Sequence, residues 1–182
     1  MIYLITLLVL LIGMAFLYNR FVRLDNLSQE AWSDVNVQLK RRYALIPNLV
    51  TIVKGYMKYE QKTLTDITKV RESAIRGTTP NQKAVSENKL TENLKHIFAV
   101  AENYPVLRTN KQFQELSKSL IEIENTLQIA RRYYNATVRD YNTAIHSFPA
   151  NLLASFLRLS DKTYFEIASL EMKNRKVKFH EK

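Results

Sequence analysis

Asn110-KQFQELSKSLIEIENTLQIARRYYNATVRDYNTAIHS-Phe148 is the stretch that decides the fold. Phe113, Leu116, Leu120, Ile123, Leu127, Ala130, Tyr134, Thr137, Tyr141, Ala144 and Phe148 are separated alternately by three and four residues. On a helix of about 3.6 residues per turn that spacing makes one continuous apolar stripe, repeated as a heptad. Asn110 is a suitable N-cap, because its side-chain oxygen can accept one of the free amides of a first turn. Pro149 is a suitable stop.

Upstream, a second stripe runs through Trp32, Val35, Leu39, Arg42, Ile46, Leu49, Val53 and Tyr56, with Ile67 and Val70 further along. Its register survives Pro47, which predicts a kinked helix or two helices nearly end to end. Gly77-Thr78-Thr79-Pro80 signals a turn. Leu90, Leu94, Ile97 and Ala101 then mark a third helix that stops before Pro105. Beyond Pro149, Leu152, Leu153, Phe156 and Leu157 suggest a short closing helix. With 3 glycines and 4 prolines in 182 residues, the chain lacks the turn residues of a sandwich or barrel. The expected class is all-α: an N-terminal transmembrane helix followed by an antiparallel bundle of about four long helices. An intermolecular coiled coil is the competing outcome. The division is 1–18 anchor, 19–172 helical bundle and 173–182 basic tail.

Met1 to Tyr18 carries no charged side chain. At 1.5 Å per residue it reaches about 27 Å, close to the thickness of a hydrocarbon core. Gly13-Met14-Ala15 offers a small-x-small cleavage pattern, but no basic residue precedes the apolar run, as a signal peptide requires. A lipidated N-terminus is excluded by the absence of cysteine. Arg20 and Arg23, then Lys40, Arg41 and Arg42, follow the run. The positive-inside rule therefore puts the N-terminus outside and the bundle in the cytoplasm of a bacterial inner membrane. The anchor either continues unbroken into the bundle or gives way to a separate helix capped by Ser28.

No catalytic, cofactor-binding or metal-ligating residue is assigned. His96, His146 and His180 are the histidines, and Glu92 with His96 falls short of a di-iron pattern. Glycines 13, 55 and 77 cannot form a phosphate loop. Arg42 interrupts an apolar stripe and needs a carboxylate, with Glu115, Glu122, Glu124 and Asp140 as candidates. It reads as a register-fixing ion pair or as a polar contact with a partner. The net charge of +10 favours anionic partners. Arg20 and Arg23, with Lys173, Arg175, Lys176 and Lys178 in the tail, are candidate contacts to an anionic leaflet. Nucleic acid is a weaker choice, because no aromatic platform accompanies the charge. Tyr134-Asn135 and Tyr141-Asn142 repeat a dipeptide at heptad spacing, an echo of Tyr18-Asn19.

The run Glu30-Ala31-Trp32-Ser33-Asp34-Val35-Asn36-Val37-Gln38-Leu39-Lys40-Arg41-Arg42-Tyr43 resembles the LemA family of bacterial membrane proteins. So do Leu45-Ile46-Pro47-Asn48-Leu49-Val50, Ala101-Glu102-Asn103-Tyr104-Pro105, Ala130-Arg131-Arg132-Tyr133-Tyr134-Asn135 and Val138-Arg139-Asp140-Tyr141-Asn142. Asn36, Ala44 and Tyr59 depart from the family's usual acids and histidine. The resemblance implies a one-pass protein with a helical cytoplasmic domain and brings no catalytic residues. Family members beside membrane proteases and in magnetosome membranes hint at membrane organisation. The expected role is a non-enzymatic scaffold or adaptor for unidentified membrane-associated proteins, open to self-association. Accessory regulation of a membrane protease is the alternative, and an uncharacterised enzyme the third.

Overall fold

The computed structural model describes residues 1–165. Among them are six α-helices and no strand. The first, α1, runs from Ile2 to Tyr56 without interruption. Its 55 residues give a rod about 80 Å long at 1.5 Å per residue. Ser28 does not cap a second helix: its hydroxyl donates to the Asp25 carbonyl at 2.7 Å inside α1, so the apolar segment and the bundle share one helix.

A 3₁₀ turn at Lys58–Glu60 reverses the chain into α2 (Gln61–Arg76). Thr79 caps α3 (Pro80–Ala101). Its hydroxyl accepts the Gln82 amide at 3.3 Å while the Gln82 side chain accepts from the Thr79 amide, and Pro80 occupies the first turn, where no amide is needed. A four-residue helix, α4 (Pro105–Arg108), leads to α5 (Lys111–His146). The Asn110 side chain accepts the Phe113 amide at 3.0 Å and starts α5 where the sequence indicates.

The helices pack up-down-up-down. Asn110 donates to Tyr56 Oη, Arg42 meets Glu124, and Trp32 meets Tyr134, a nested set of pairs that makes α1 and α5 antiparallel. Arg71 against Tyr43 folds α2 back along α1, and Ser73 against Ser86 folds α3 back along α2. The core holds Val35, Leu39, Ile46, Leu49 and Val53 from α1, Leu64 and Ile67 from α2, Leu90 and Ile97 from α3, and Leu116, Leu120 and Leu127 from α5. The heptad stripe is therefore satisfied within one chain.

Two positions depart from the stripes. Phe148 is 82% exposed, because α5 ends at His146 and the stripe loses its face with it. Tyr56 is also exposed, at the last residue of α1. The closing helix, α6 (Ala150–Phe156), forms with Leu153 partly buried against the bundle. It buries Ala150 and Ala154 and leaves Leu152 and Phe156 outside. These small residues let α6 sit close against a second cluster of Phe21, Tyr141, Ala144 and Ile145, flanked by Leu17 and Leu24. The C-terminal end of α5 and all of α6 thus gather where α1 leaves its apolar segment.

Candidate functional site

Four charged side chains meet inside the bundle. Arg42 on α1 donates through Nη1 to Glu87 Oε2 at 2.9 Å and through Nη2 to Thr91 Oγ1 at 2.8 Å, both on α3. The same Nη1 lies 3.0 Å from Glu124 Oε2 on α5. Arg131, two turns further along α5, reaches Glu87 Oε2 at 3.4 Å. The Tyr43 hydroxyl donates to the other Glu87 oxygen at 2.5 Å. Glu87 is fully buried and ties α1, α3 and α5 together. Of the four candidate carboxylates on α5, Glu124 is the one beside Arg42, and the shorter contact comes from Glu87 on α3.

The cluster is neutral, with two guanidinium groups and two carboxylates, which is how a bundle tolerates charge in its core. Burial drives Arg131 below its ordinary value, against the pull of Glu87 and Glu124. With so high a starting value its guanidinium stays charged at neutral pH. Burial, then the negative charge of Glu87, raises the Tyr43 phenol well above the ordinary tyrosine range. A phenol locked onto a carboxylate is a poor proton donor to anything else. The arrangement positions helices; it presents no nucleophile or base to solvent.

Residues 159–165 form an extended strap that returns along α5. The Asn142 side chain donates to the Lys162 carbonyl at 3.0 Å and accepts the Lys162 amide at 2.9 Å. Asn135 does the same to Phe165, at 3.1 Å and 2.8 Å. Each asparagine amide thus imitates a neighbouring strand, and the heptad-spaced Tyr-Asn dipeptides gain a physical purpose. Tyr134 adds a hydrogen bond to the Thr163 carbonyl at 2.8 Å, and Lys162 pairs with Asp25 on α1 at 2.6 Å. Phe165, the last described residue, is buried between the Trp32 ring, 6.1 Å away, and the Arg131 guanidinium, 4.7 Å from its ring centre.

Arg20 and Arg23 are exposed on α1 just past the apolar segment, about 30 Å from Arg42 along the helix, so the structure does not bring these candidates together. Lys173, Arg175, Lys176 and Lys178 lie outside the described residues. Asn36 donates to the Trp32 carbonyl, while Ala44 and Tyr59 are exposed. Among the described residues no three of His, Asp and Glu converge. Shallow grooves run between helices, one of them lined by Asn48, Ile52, Gln112 and Leu116. Phe165, Glu87 and the asparagine clamps carry no periodic apolar signal. Only the Tyr-Asn repeat pointed to any of them.

Residues 31–179 match the profile of the LemA family. Protein LemA of Metamycoplasma hominis is 26% identical over 157 residues, covering 84% of this chain and 70% of that protein. Magnetosome protein MamQ 2 of Paramagnetospirillum magneticum is 23% identical over 175 residues, covering 82% and 64%. Magnetosome protein MamQ of Magnetospirillum gryphiswaldense is 22% identical over 174 residues, covering 81% and 64%. The chain therefore spans less than two thirds of the length of the magnetosome relatives. None of these names is that of an enzyme.

Proposed function

We propose, from the premise that the chain belongs to the LemA family, that it is a non-enzymatic scaffold of the bacterial cytoplasmic membrane. Residues 1–18 insert as a single-pass anchor with the N-terminus outside, and the cytoplasmic bundle presents its helix faces to membrane-associated proteins. One observation carries this reading. The first fifteen residues of α1 expose every side chain, whereas the same helix from Phe21 onward lines the bundle core. Leu4, Leu7, Leu8, Leu10 and Leu11 are each more than half exposed. In water each would forfeit about 1.5–3 kcal/mol against burial. A bilayer satisfies them without altering the fold. The helix is long and apolar enough to cross one.

Arg20 and Arg23 then lie against the anionic leaflet, and the tail residues Lys173, Arg175, Lys176 and Lys178 are offered the same surface. The buried charges of Arg42, Glu87, Glu124 and Arg131 fix the register of the bundle, so that its outer faces are held in one arrangement. The test is photo-crosslinking in cells from exposed positions on α5, such as Ile129 and Tyr133. A discrete set of membrane-protein adducts that is lost when the anchor is deleted supports the scaffold. Adducts dominated by one protease favour the regulatory alternative. Absence of protein adducts from every face of the bundle contradicts both.

A further inference from the structure

We infer that α6 is a second membrane contact, a short interfacial helix that lays Phe148, Leu152 and Phe156 into the headgroup–acyl boundary beside the point where α1 emerges. The inference rests on the reading that residues 1–18 cross the bilayer. In an ordinary closing helix the large apolar residues face the core and the small or polar ones face water. In α6 only Leu153 of the large apolar residues packs on the core cluster, beside the buried Ala150 and Ala154, while Leu152 is 65% and Phe156 83% exposed. These two lie one turn apart on the helix, and Phe148, 82% exposed, stands in the turn that precedes it. α6 contains no charged side chain. Three large apolar groups left exposed within nine residues mark a surface suited to an apolar partner.

Their position selects that partner. α6 packs on Phe21 and is flanked by Leu17 and Leu24 of α1. Tyr18 ends the apolar run, so at 1.5 Å per residue Leu17 and Leu24 span from the boundary itself to about 9 Å beyond it. An interfacial helix buries its apolar face about 5–10 Å into that zone. Phe16, Tyr18 and Val22 are also exposed on this stretch of α1. Arg20, Arg23 and Arg158 are exposed nearby in sequence, the usual basic fringe of a helix lying on anionic lipid. A segment contacting the bilayer at α6 as well as α1 would fix the tilt of the bundle and not merely its tether.

The chain has no cysteine, so single spin labels are clean reporters. The full chain carrying one label at Val9, Leu152, Phe156 or Lys111 is reconstituted into phosphatidylethanolamine–phosphatidylglycerol vesicles. Collision with oxygen is compared with collision with a water-soluble nickel chelate. The α6 labels should favour oxygen over the chelate by about 3-fold or more relative to Lys111 at the distal end, with Val9 deeper still. Water-like behaviour at both Leu152 and Phe156, with Val9 in lipid, overturns the inference and leaves the anchor standing. Water-like behaviour at Val9 overturns both. Dipolar broadening at Leu152 that disappears on dilution with unlabelled protein, without oxygen preference, assigns the face to a second copy and likewise overturns it. Circular dichroism of each labelled chain verifies that the bundle is folded.

Discussion

Arg71 Nε donates, at 2.8 Å, to the carbonyl of Tyr43, the group that Pro47 leaves without its helical donor. Proline has no amide, so the bond that residue 47 owes to residue 43 cannot form within α1. The side chain from α2 replaces it, and α1 passes through Pro47 as one helix. Arg71→Ala should therefore cost about 1.5–3 kcal/mol, the worth of a hydrogen bond to a charged group. In a Pro47→Ala background most of that cost should vanish. Urea unfolding of the four chains of this cycle, in mild detergent, measures the coupling. Equal costs in both backgrounds would sever the link.

Glu87 is the most consequential polar residue in the bundle. Its removal strands Arg131 and the Tyr43 hydroxyl and leaves Arg42 with only Glu124 and Thr91. Glu87→Ala should destabilise by about 3–5 kcal/mol, the usual cost of leaving a buried charge without its partner. Arg131→Met combined with Glu87→Leu should recover part of that loss, because Arg42 keeps Glu124 and Arg131 is no longer an unpaired buried charge. Thermal and urea unfolding should agree on this order. A Glu87→Ala chain within about 1 kcal/mol of the parent would refute the proposed role.

Stability should fall at alkaline pH, and the sign is fixed by Tyr43. Burial and the charge of Glu87 raise its phenol in the folded state, while the unfolded phenol ionises near pH 10. Below that value both states hold the proton and the contribution is complete. Above it only the unfolded chain gives the proton up, so unfolding becomes easier as pH rises. Burial moves Tyr134 and Tyr141 the same way. Lys83, whose ammonium burial pushes down, acts in the opposite sense. The decisive comparison is therefore Tyr43→Phe, which should flatten the loss of melting temperature above about pH 10. An unchanged slope would mean the phenol is not the titrating group.

The strap should depend on two side chains. Asn135→Ala or Asn142→Ala removes a donor and an acceptor together and leaves the strap backbone to solvent. Hydrogen exchange should quicken at the Phe165 amide in the first variant and at Lys162 in the second, with α5 still protected. Unchanged exchange at both amides would mean the strap is held by Phe165 burial alone.

What the sequence made legible follows from length and period. Five heptads from Phe113 to Ala144 cannot be mistaken for another element, and Asn110 marks their start to the residue. Leu152, Leu153, Phe156 and Leu157 announce a closing helix, but seven residues offer too few turns to say which face is inward. Glu87 looked like any solvated residue of α3, because burial of a single carboxylate depends on partners 44 and 45 residues away in sequence. The strap has no period at all. Its trace was the spacing of Asn135 and Asn142 on the partner helix, which heptad repetition explained equally well. Whether α1 broke at Ser28 could not be decided locally, since a serine hydroxyl serves a cap and a mid-helix carbonyl alike.

All that is proposed for this chain depends on α1 crossing from bilayer to bundle as one rigid helix. Spin labels at Phe16 and Arg41, both exposed, bracket the junction in an otherwise cysteine-free chain. Twenty-five helical residues correspond to about 37 Å. In lipid nanodiscs, electron–electron distance measurement should give a single narrow distribution near that value. A broad or clearly shorter distribution would mean that the helix breaks at the membrane surface and that the bundle hangs from a flexible tether.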